Sequence, residues 1–205
     1  EALLAIHSGA SALGLVSAMP SGPGVISEEL IAKIADATPP PIASFLLTSQ
    51  TKARDIIAQQ KSCRVNTIQL CDHVLPSVHA ELRESLPGIS LVQVIHVRDK
   101  SSVVEALDVA QRVDALLLDS GNQSLAVKEL GGTGRTHDWT LSAEIVTEAP
   151  IPVFLAGGLN HSNVSEAIRT VKPFGVDLCS GVRRDGFLDA EKLGKFMEAV
   201  RAVDS

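Results

Sequence analysis

Short apolar runs alternate with amphipathic segments along the whole chain. Seven runs have the length and the Val, Ile and Leu content of buried parallel strands: Ser11–Ser17, Ile42–Thr48, Val65–Cys71, Ile89–Val97, Val113–Ser120, Ile151–Gly158 and Gly175–Gly181. Segments with helical spacing lie between them. This alternation predicts an α/β fold with a parallel sheet, either open and doubly wound or closed as a barrel.

The predicted helices fill the intervals between the strands. They are Glu1–His7 with Gly9 as its C-cap, a helix capped by Ser27, Thr51–Gln60, Ser77–Ser85, a helix starting at Ser101 or Ser102, Leu141–Val146, Val164–Val171 and a last helix capped by Asp189. No G-x-G-x-x-G follows an early strand, which disfavours a dinucleotide-binding fold. We therefore expect a TIM (β/α)8 barrel. A barrel of this class has eight strands. The pattern shows only seven, so we expect that barrel strand 1, which would precede Glu1, is missing from it.

Composition favours one soluble domain over residues 1–205. Hydrophobic residues make up 45% of the chain, enough for one sizeable core, and no linker divides it. The net charge of −6 is spread without a basic run, so we expect neither nucleic acid nor a membrane as a partner. The three cysteines, Cys63, Cys71 and Cys179, have no C-x-x-C spacing and indicate a reducing, cytoplasmic location.

Two glycine turns follow the last two predicted strands. Gly157 and Gly158 end one strand, and Ser180 and Gly181 end the next. Because parallel strands end at the same edge of a sheet, these turns would aim backbone N–H groups at one point, which suits a phosphate dianion. Loops after strands 7 and 8 often bind phosphate in barrels of this class. The alternative is that both are simple tight turns.

Two aspartates occupy strand ends that face the same barrel mouth. Asp119 ends "VDALLLD", where a carboxyl group is placed for general acid–base catalysis. Asp177 lies in the last strand and could hold a sugar hydroxyl. The alternatives are a cap or solvated turn residue for Asp119 and a structural role for Asp177.

The segment "GGTGRTHDW", residues 131–139, is glycine-rich and precedes a predicted helix. Its glycines, Gly132 and Gly134 among them, permit a mobile lid, Arg135 could meet an anion, and Asp138 could cap the helix. We expect His73, His79 and His161 to face solvent and place His96 at the barrel mouth. No histidine and carboxylate set has metal-ligand spacing, so no metal site is predicted.

Several of these strings together resemble one family. "LLLDS", "GGTGRTHDW", "IPVFLAGGLN", "NVSEAIRTVKPFGVDLCSGVR" and "DGFLDAEKLGKFMEAVR" are similar to the C-terminal half of phosphoribosylanthranilate isomerase. The resemblance implies an Amadori rearrangement of an aminoaldose phosphate in tryptophan biosynthesis, without a cofactor. It implies Asp119 as the general acid, phosphate binding by Gly157, Gly158, Ser180 and Gly181, and contact of Asp177 with the sugar. The expected partner is this small phosphosugar, bound by a monomer or a homodimer.

The chain departs from the family pattern at three positions. It contains no K-x-C-G motif, which carries the family's catalytic base on strand 1. The loop "SAMPSGPGVI" has no arginine to bind the anthranilate carboxylate, and "QLCD" stands where the family has "QLHG". Cys71 and Cys179 are more simply explained as small buried hydrophobic residues than as replacement bases. An impaired or inactive phosphate-ligand-binding paralogue, or an isomerase of a related aminoaldose phosphate, therefore remains an alternative.

Overall fold

A computed structural model describes residues 1–20, 23–120 and 137–203. It contains one curled sheet of seven parallel strands that lie side by side in chain order. The strands are β1 (Ala12–Val16), β2 (Ala43–Thr48), β3 (Thr67–Leu70), β4 (Ser90–His96), β5 (Ala115–Asp119), β6 (Val153–Leu155) and β7 (Gly175–Val176). A doubly wound sheet reverses its strand order, whereas a barrel keeps it. The predicted barrel class is confirmed.

Helices connect the strands and cover the outside of the sheet. They are α1 (Ala2–Ser8), α2 (Glu28–Ala37), α3 (Ala53–Cys63), α4 (Pro76–Ser85), α5 (Lys100–Val109), α6 (Trp139–Glu148), α7 (Val164–Val171) and α8 (Ala190–Arg201). The caps predicted at Ser27, Asp138 and Asp189 each accept a hydrogen bond from a backbone N–H of the following turn. Gly9 ends α1 with φ 106°, a left-handed conformation that glycine adopts readily.

Two hydrophobic layers form because strand side chains alternate between the faces of the sheet. On β5, Leu116 and Leu118 point toward the helices and join the main core, while Ala115 and Leu117 pack inside the curl of the sheet. Residues at the upper end of the inner layer therefore face the open mouth of the barrel.

The sheet leaves a seam between β1 and β7. Among the described residues these two strands are not hydrogen-bonded to each other. Outside the seam, α1 packs against α8. There, the Glu1 carboxylate pairs with the Arg183 guanidinium at 3.1 Å, and Arg201 Nη2 donates to the Ser8 carbonyl at 3.0 Å.

Several predicted elements differ from the structure. β7 covers only Gly175–Val176, because the backbone leaves the sheet to build a 3₁₀ turn at Ser180–Val182. A short antiparallel hairpin follows, formed by β8 (Arg183–Arg184) and β9 (Phe187–Leu188). α5 is capped by Asp99, whose carboxylate accepts from the Ser101 N–H at 2.8 Å.

His79 contradicts the prediction that it faces solvent. It is 2% exposed, because it lies on the buried face of α4, three residues before the equally buried Leu82. Across the described residues, none of the helices combines the length and apolarity needed to cross a membrane.

Candidate active site

Asp119 ends β5 at the barrel mouth. It is 6% exposed and follows Ala115 and Leu117 on the inner face of the strand. Its Oδ1 accepts a hydrogen bond from the Ser120 N–H at 2.7 Å, which fixes the direction of the carboxyl group. Its register partner on β4 is His96. Asp119 is therefore a buried carboxyl group held beside a histidine.

The turn after β6 approaches Asp119 closely. Gly157 and Gly158 have φ values of 85° and 64°, in the left-handed region that favours glycine. A Cβ atom on Gly157 would lie 3.2 Å from Asp119 Oδ1 and 3.2 Å from the Ser120 nitrogen. The tight contacts and the left-handed backbone together favour glycine at this position. Within the described residues, neither glycine N–H has a backbone acceptor, so both are available to a ligand.

The turn after β7 contacts the turn after β6. A Cβ atom on Gly181 would lie 2.0 Å from the Leu159 carbonyl oxygen, which is far inside van der Waals contact. On the other turn, the Gly158 carbonyl accepts from the amides of Asn160 and Asn163 at 3.3 and 3.1 Å. The two turns therefore form one braced unit whose contact requires glycine at position 181.

Asp177 follows β7, and its N–H donates to the Leu155 carbonyl at 2.8 Å. Burial, and after it the negative charge of Asp119, raises the pKa of the Asp177 carboxyl to about 6. Two carboxyl groups in one cavity resist ionising together. A buried carboxyl group with a raised pKa beside a second carboxyl group is typical of catalytic sites.

A cavity of about 40 Å³ joins these groups. Most of the residues proposed from the sequence line it, namely Asp119, Gly157, Gly158, Asp177 and Ser180. Gly181 lies directly behind it, against Leu159. The three lid residues, Gly132, Gly134 and Arg135, lie outside the described residues.

The structure adds His137, which the sequence analysis did not select. Its Nε2 bonds to the Ser142 hydroxyl at 2.7 Å, and its buried Nδ1 has no partner in the described part of the chain. A Cβ atom on Gly157 would lie 3.1 Å from this Nδ1. Burial lowers the pKa of His137, against the opposing charges of Asp119 and Asp138. The only sequence signal was its place next to the Asp138 cap.

His96 lies at the mouth, as predicted, but it is buried. It is 7% exposed, and its Nε2 lies 3.2 Å from the Cys71 carbonyl. Because a carbonyl oxygen only accepts, Nε2 carries a proton and donates it to this carbonyl. The other ring nitrogen, Nδ1, has no partner among the residues described.

Cys71, which is buried near the mouth, is not an activated base. Cys71 is 1% exposed, and burial raises the pKa of its thiol strongly, with the charges of Asp119 and Asp177 adding to the effect. Only a thiolate is an effective base or nucleophile. Cys179 lines the cavity as a partly buried free thiol. In the ranges that the structure describes, no group of His, Cys, Asp and Glu is arranged to hold a metal ion.

Comparisons with known proteins agree with this geometry. The family model described as N-(5'-phosphoribosyl)anthranilate (PRA) isomerase matches residues 2–199. A protein of Methanocella arvoryzae named N-(5'-phosphoribosyl)anthranilate isomerase is 33% identical over 201 residues, covering 98% of this chain and 89% of the relative. The Haloferax volcanii protein of the same name is 35% identical, covering 96% and 86%.

Solved structures of the same name share the fold. Phosphoribosyl anthranilate isomerase from Thermotoga maritima superimposes with a TM-score of 0.80 at 28% identity, covering 98% of this chain and 93% of its own. Another phosphoribosyl anthranilate isomerase, in complex with reduced 1-(o-carboxyphenylamino)-1-deoxyribulose 5-phosphate, gives 0.78 at 26% identity, covering 98% and 92%. This chain belongs to the N-(5'-phosphoribosyl)anthranilate isomerase family.

Proposed function

We propose that this chain converts N-(5'-phosphoribosyl)anthranilate to 1-(2-carboxyphenylamino)-1-deoxyribulose 5-phosphate in tryptophan biosynthesis. The observation that carries the proposal is the single cavity shared by the Asp119 carboxyl and the two glycine turns. Family membership supports it, and so does the relative that binds the reduced form of this product. No cofactor is needed, because the reaction only moves protons and rearranges bonds within one substrate.

The phosphate group of the substrate would bind at the two turns. The N–H groups of Gly157 and Gly158 are free of backbone acceptors in the described residues, and Ser180 lines the same cavity with Gly181 directly behind it. Backbone N–H groups stabilise a phosphate dianion by hydrogen bonding, without a positively charged side chain. Binding there fixes the ribose relative to Asp119 and makes the proton transfers effectively intramolecular.

Asp119 would then act as the general acid. Its proton goes to the ribose ring oxygen as the C1–O bond breaks and the nitrogen lone pair forms the C1=N bond of a Schiff base. Asp177 would hold a sugar hydroxyl in this open chain. Loss of the C2 proton to a base gives an enolamine, which tautomerises to the ketone of the product.

Among the described residues, Cys71 is poorly suited to act as the base for the C2 proton. Burial raises the pKa of the Cys71 thiol, which disfavours the thiolate that the step needs. This observation favours a second candidate function, a phosphate-ligand-binding paralogue with little or no turnover. In either case a cytoplasmic location is supported by three free cysteines, two of them buried.

A test separates binding from proton transfer. Turnover of N-(5'-phosphoribosyl)anthranilate and calorimetric binding of reduced 1-(o-carboxyphenylamino)-1-deoxyribulose 5-phosphate are measured for the chain and for Asp119→Asn. Asn has nearly the same shape but cannot donate an acidic proton. We expect turnover to fall about 100-fold or more, with binding largely unchanged.

Two controls sharpen the result. Inorganic phosphate measures what the turns contribute alone, and Asp185→Asn alters an exposed aspartate outside the cavity. Strong binding without turnover by the unmodified chain favours the paralogue. Binding no better than inorganic phosphate would refute recognition of the whole ligand, and loss of binding in Asp119→Asn would make Asp119 a structural residue.

A further inference from the structure

A second cavity lies on the helix side of the sheet, between α4 and the segment that joins α5 to β5. It has a volume of about 290 Å³, and His79, Arg83, Gln111 and Arg112 are among its walls. Since α4 packs mainly against α3, and α5 against α6, a space remains between α4 and α5. This volume approaches the lower end of the range for small-molecule sites, which is about 300 Å³.

His79 contributes a fixed hydrogen-bond acceptor. Its Nε2 lies 3.2 Å from Gln93 Oε1, and the Gln93 amide nitrogen donates to the carbonyls of Leu70 and Asp72 at 3.0 and 2.9 Å. These bonds set the amide orientation, so Nε2 of His79 must donate and Nδ1 carries the lone pair. His79 is 2% exposed, and its Nδ1 has no partner among the described residues.

Arg83 and Arg112 contribute ion-paired guanidinium groups, and Arg112 also contributes a donor without a described partner. The terminal nitrogens of Arg112 pair with Asp108, but its buried Nε has no partner in the described ranges. Arg83 Nη1 pairs with Asp114 at 2.7 Å, which leaves its other N–H groups outside that bond. Neither Asp108 nor Asp114 lines the cavity. Its described walls therefore carry two guanidinium groups, each paired with a carboxylate that lies outside the cavity lining.

The surroundings also keep His79 neutral. Burial lowers the pKa of His79, and the positive charges of Arg112, His73 and Arg83 lower it further, while the bond to Gln93 opposes them. A neutral imidazole with a protonated Nε2 accepts at Nδ1 and cannot donate there. A buried donor and a buried acceptor without partners both require an explanation.

The geometry points to a binding site in this cavity for a small oxyanion that also carries an O–H group, such as hydrogen phosphate. The Nε–H of Arg112 and the guanidinium of Arg83 bind the negative oxygens, and His79 Nδ1 accepts the O–H. The site is separate from the barrel mouth, because His79 reaches Gln93 on the outer face of β4 while His96 lies on the inner face.

The test compares two anions of similar size and geometry. Hydrogen phosphate has an O–H donor at neutral pH, and sulfate has none. The full chain is labelled with ¹⁵N and titrated with each anion, and the NMR signals of Arg112 Nε–H and of the His79 ring nitrogens are followed. Both residues line this cavity and neither lines the cavity at the barrel mouth, so phosphate bound at the mouth does not contact them.

We expect both signals to shift saturably with phosphate, and sulfate to bind about tenfold more weakly because it leaves His79 Nδ1 unpaired. Arg112→Ala should abolish the His79 response, whereas Arg64→Ala, which removes an exposed arginine paired with Asp36, should preserve it. If Arg112→Ala does not fold, Arg112→Lys replaces it in the titration, and this variant should bind phosphate more weakly. Silent reporters, equal responses to both anions, or an unchanged response in the Arg112 variants would overturn the proposal.

Discussion

At the scale of single residues, Asp177 shows a conflict between function and stability. Its pKa in the folded chain, about 6, is above the ordinary value of 3.8. The folded state therefore holds its proton more tightly than the unfolded state does. The carboxyl group favours folding least once it is ionised, so stability is lost as pH rises from about 4 through about 6.

Asp177→Asn should remove the loss of stability that ionisation of Asp177 causes. At neutral pH we predict that the free energy of unfolding rises by about 1 to 3 kcal/mol, because the amide needs no buried charge. The gain should vanish below about pH 4, where Asp177 itself is protonated. Urea unfolding across this pH range measures it, with Asp185→Asn as the exposed control. A destabilised variant at neutral pH would show that ionised Asp177 makes a stabilising contact.

Sequence reasoning located the residues at strand ends better than those on helices. Asp119 and Gly157 follow apolar runs whose ends must meet at one edge of a parallel sheet, so their positions were predictable. The prediction for His79 was wrong because a polar residue was assumed to be exposed. Its spacing of three residues from Leu82 placed it on the buried face of α4. His137 depends on how residues distant in sequence pack, which no local pattern indicates.

At the scale of elements, the contact between the two glycine turns is the critical feature. Gly181→Ala would place a Cβ atom 2.0 Å from the Leu159 carbonyl oxygen, so the turns must separate. Since the proposed phosphate site takes N–H groups from both turns, we predict that affinity for reduced 1-(o-carboxyphenylamino)-1-deoxyribulose 5-phosphate falls about tenfold or more. Calorimetry measures the loss.

Gly194→Ala is the matched control for Gly181→Ala. Position 194 lies within α8, and a Cβ atom there meets no atom within 4 Å. Alanine is favoured over glycine in a helix, so this variant should gain about 0.5 to 1 kcal/mol in stability and keep its affinity. Circular dichroism of both variants separates a local effect from unfolding. Equal affinity in the two variants would exclude a role for the turn contact in binding.

Element types were predictable, and element ends were less so. The strands were recognised because parallel strands buried on both faces are continuously apolar. "GVDLCSG" looks like a full strand, yet only Gly175–Val176 pairs with β6, because the backbone then leaves the sheet and forms the 3₁₀ turn Ser180–Val182. The start of α5 was misplaced because Ser101 and Asp99 are both good caps, and the hydrogen bond to Asp99 decides between them.

At the scale of the whole molecule, the seam between β1 and β7 governs how the chain of 205 residues behaves. Among the described residues β7 has no strand on its far side, and β1 is bridged there only at Val16, whose carbonyl accepts from the Ile26 N–H at 2.9 Å. Ala12 and Gly14, on the inner face of β1, are exposed, and Phe174 beside β7 is 72% exposed. The seam thus combines unpaired edges with accessible apolar surface, the two features that favour association between chains.

We therefore predict that this chain self-associates at its seam. Sedimentation velocity should show a concentration-dependent shift toward larger species. Ala12→Lys should reduce it, because an inward-pointing charge on an edge strand opposes edge pairing. Ala37→Lys is the matched control, since Ala37 is exposed on α2 and away from the seam. Self-association that persists unchanged in Ala12→Lys would assign it to another surface. A monomer at all concentrations with a cooperative melt at high temperature would show that the chain stabilises its seam by itself, through the packing of α1 on α8.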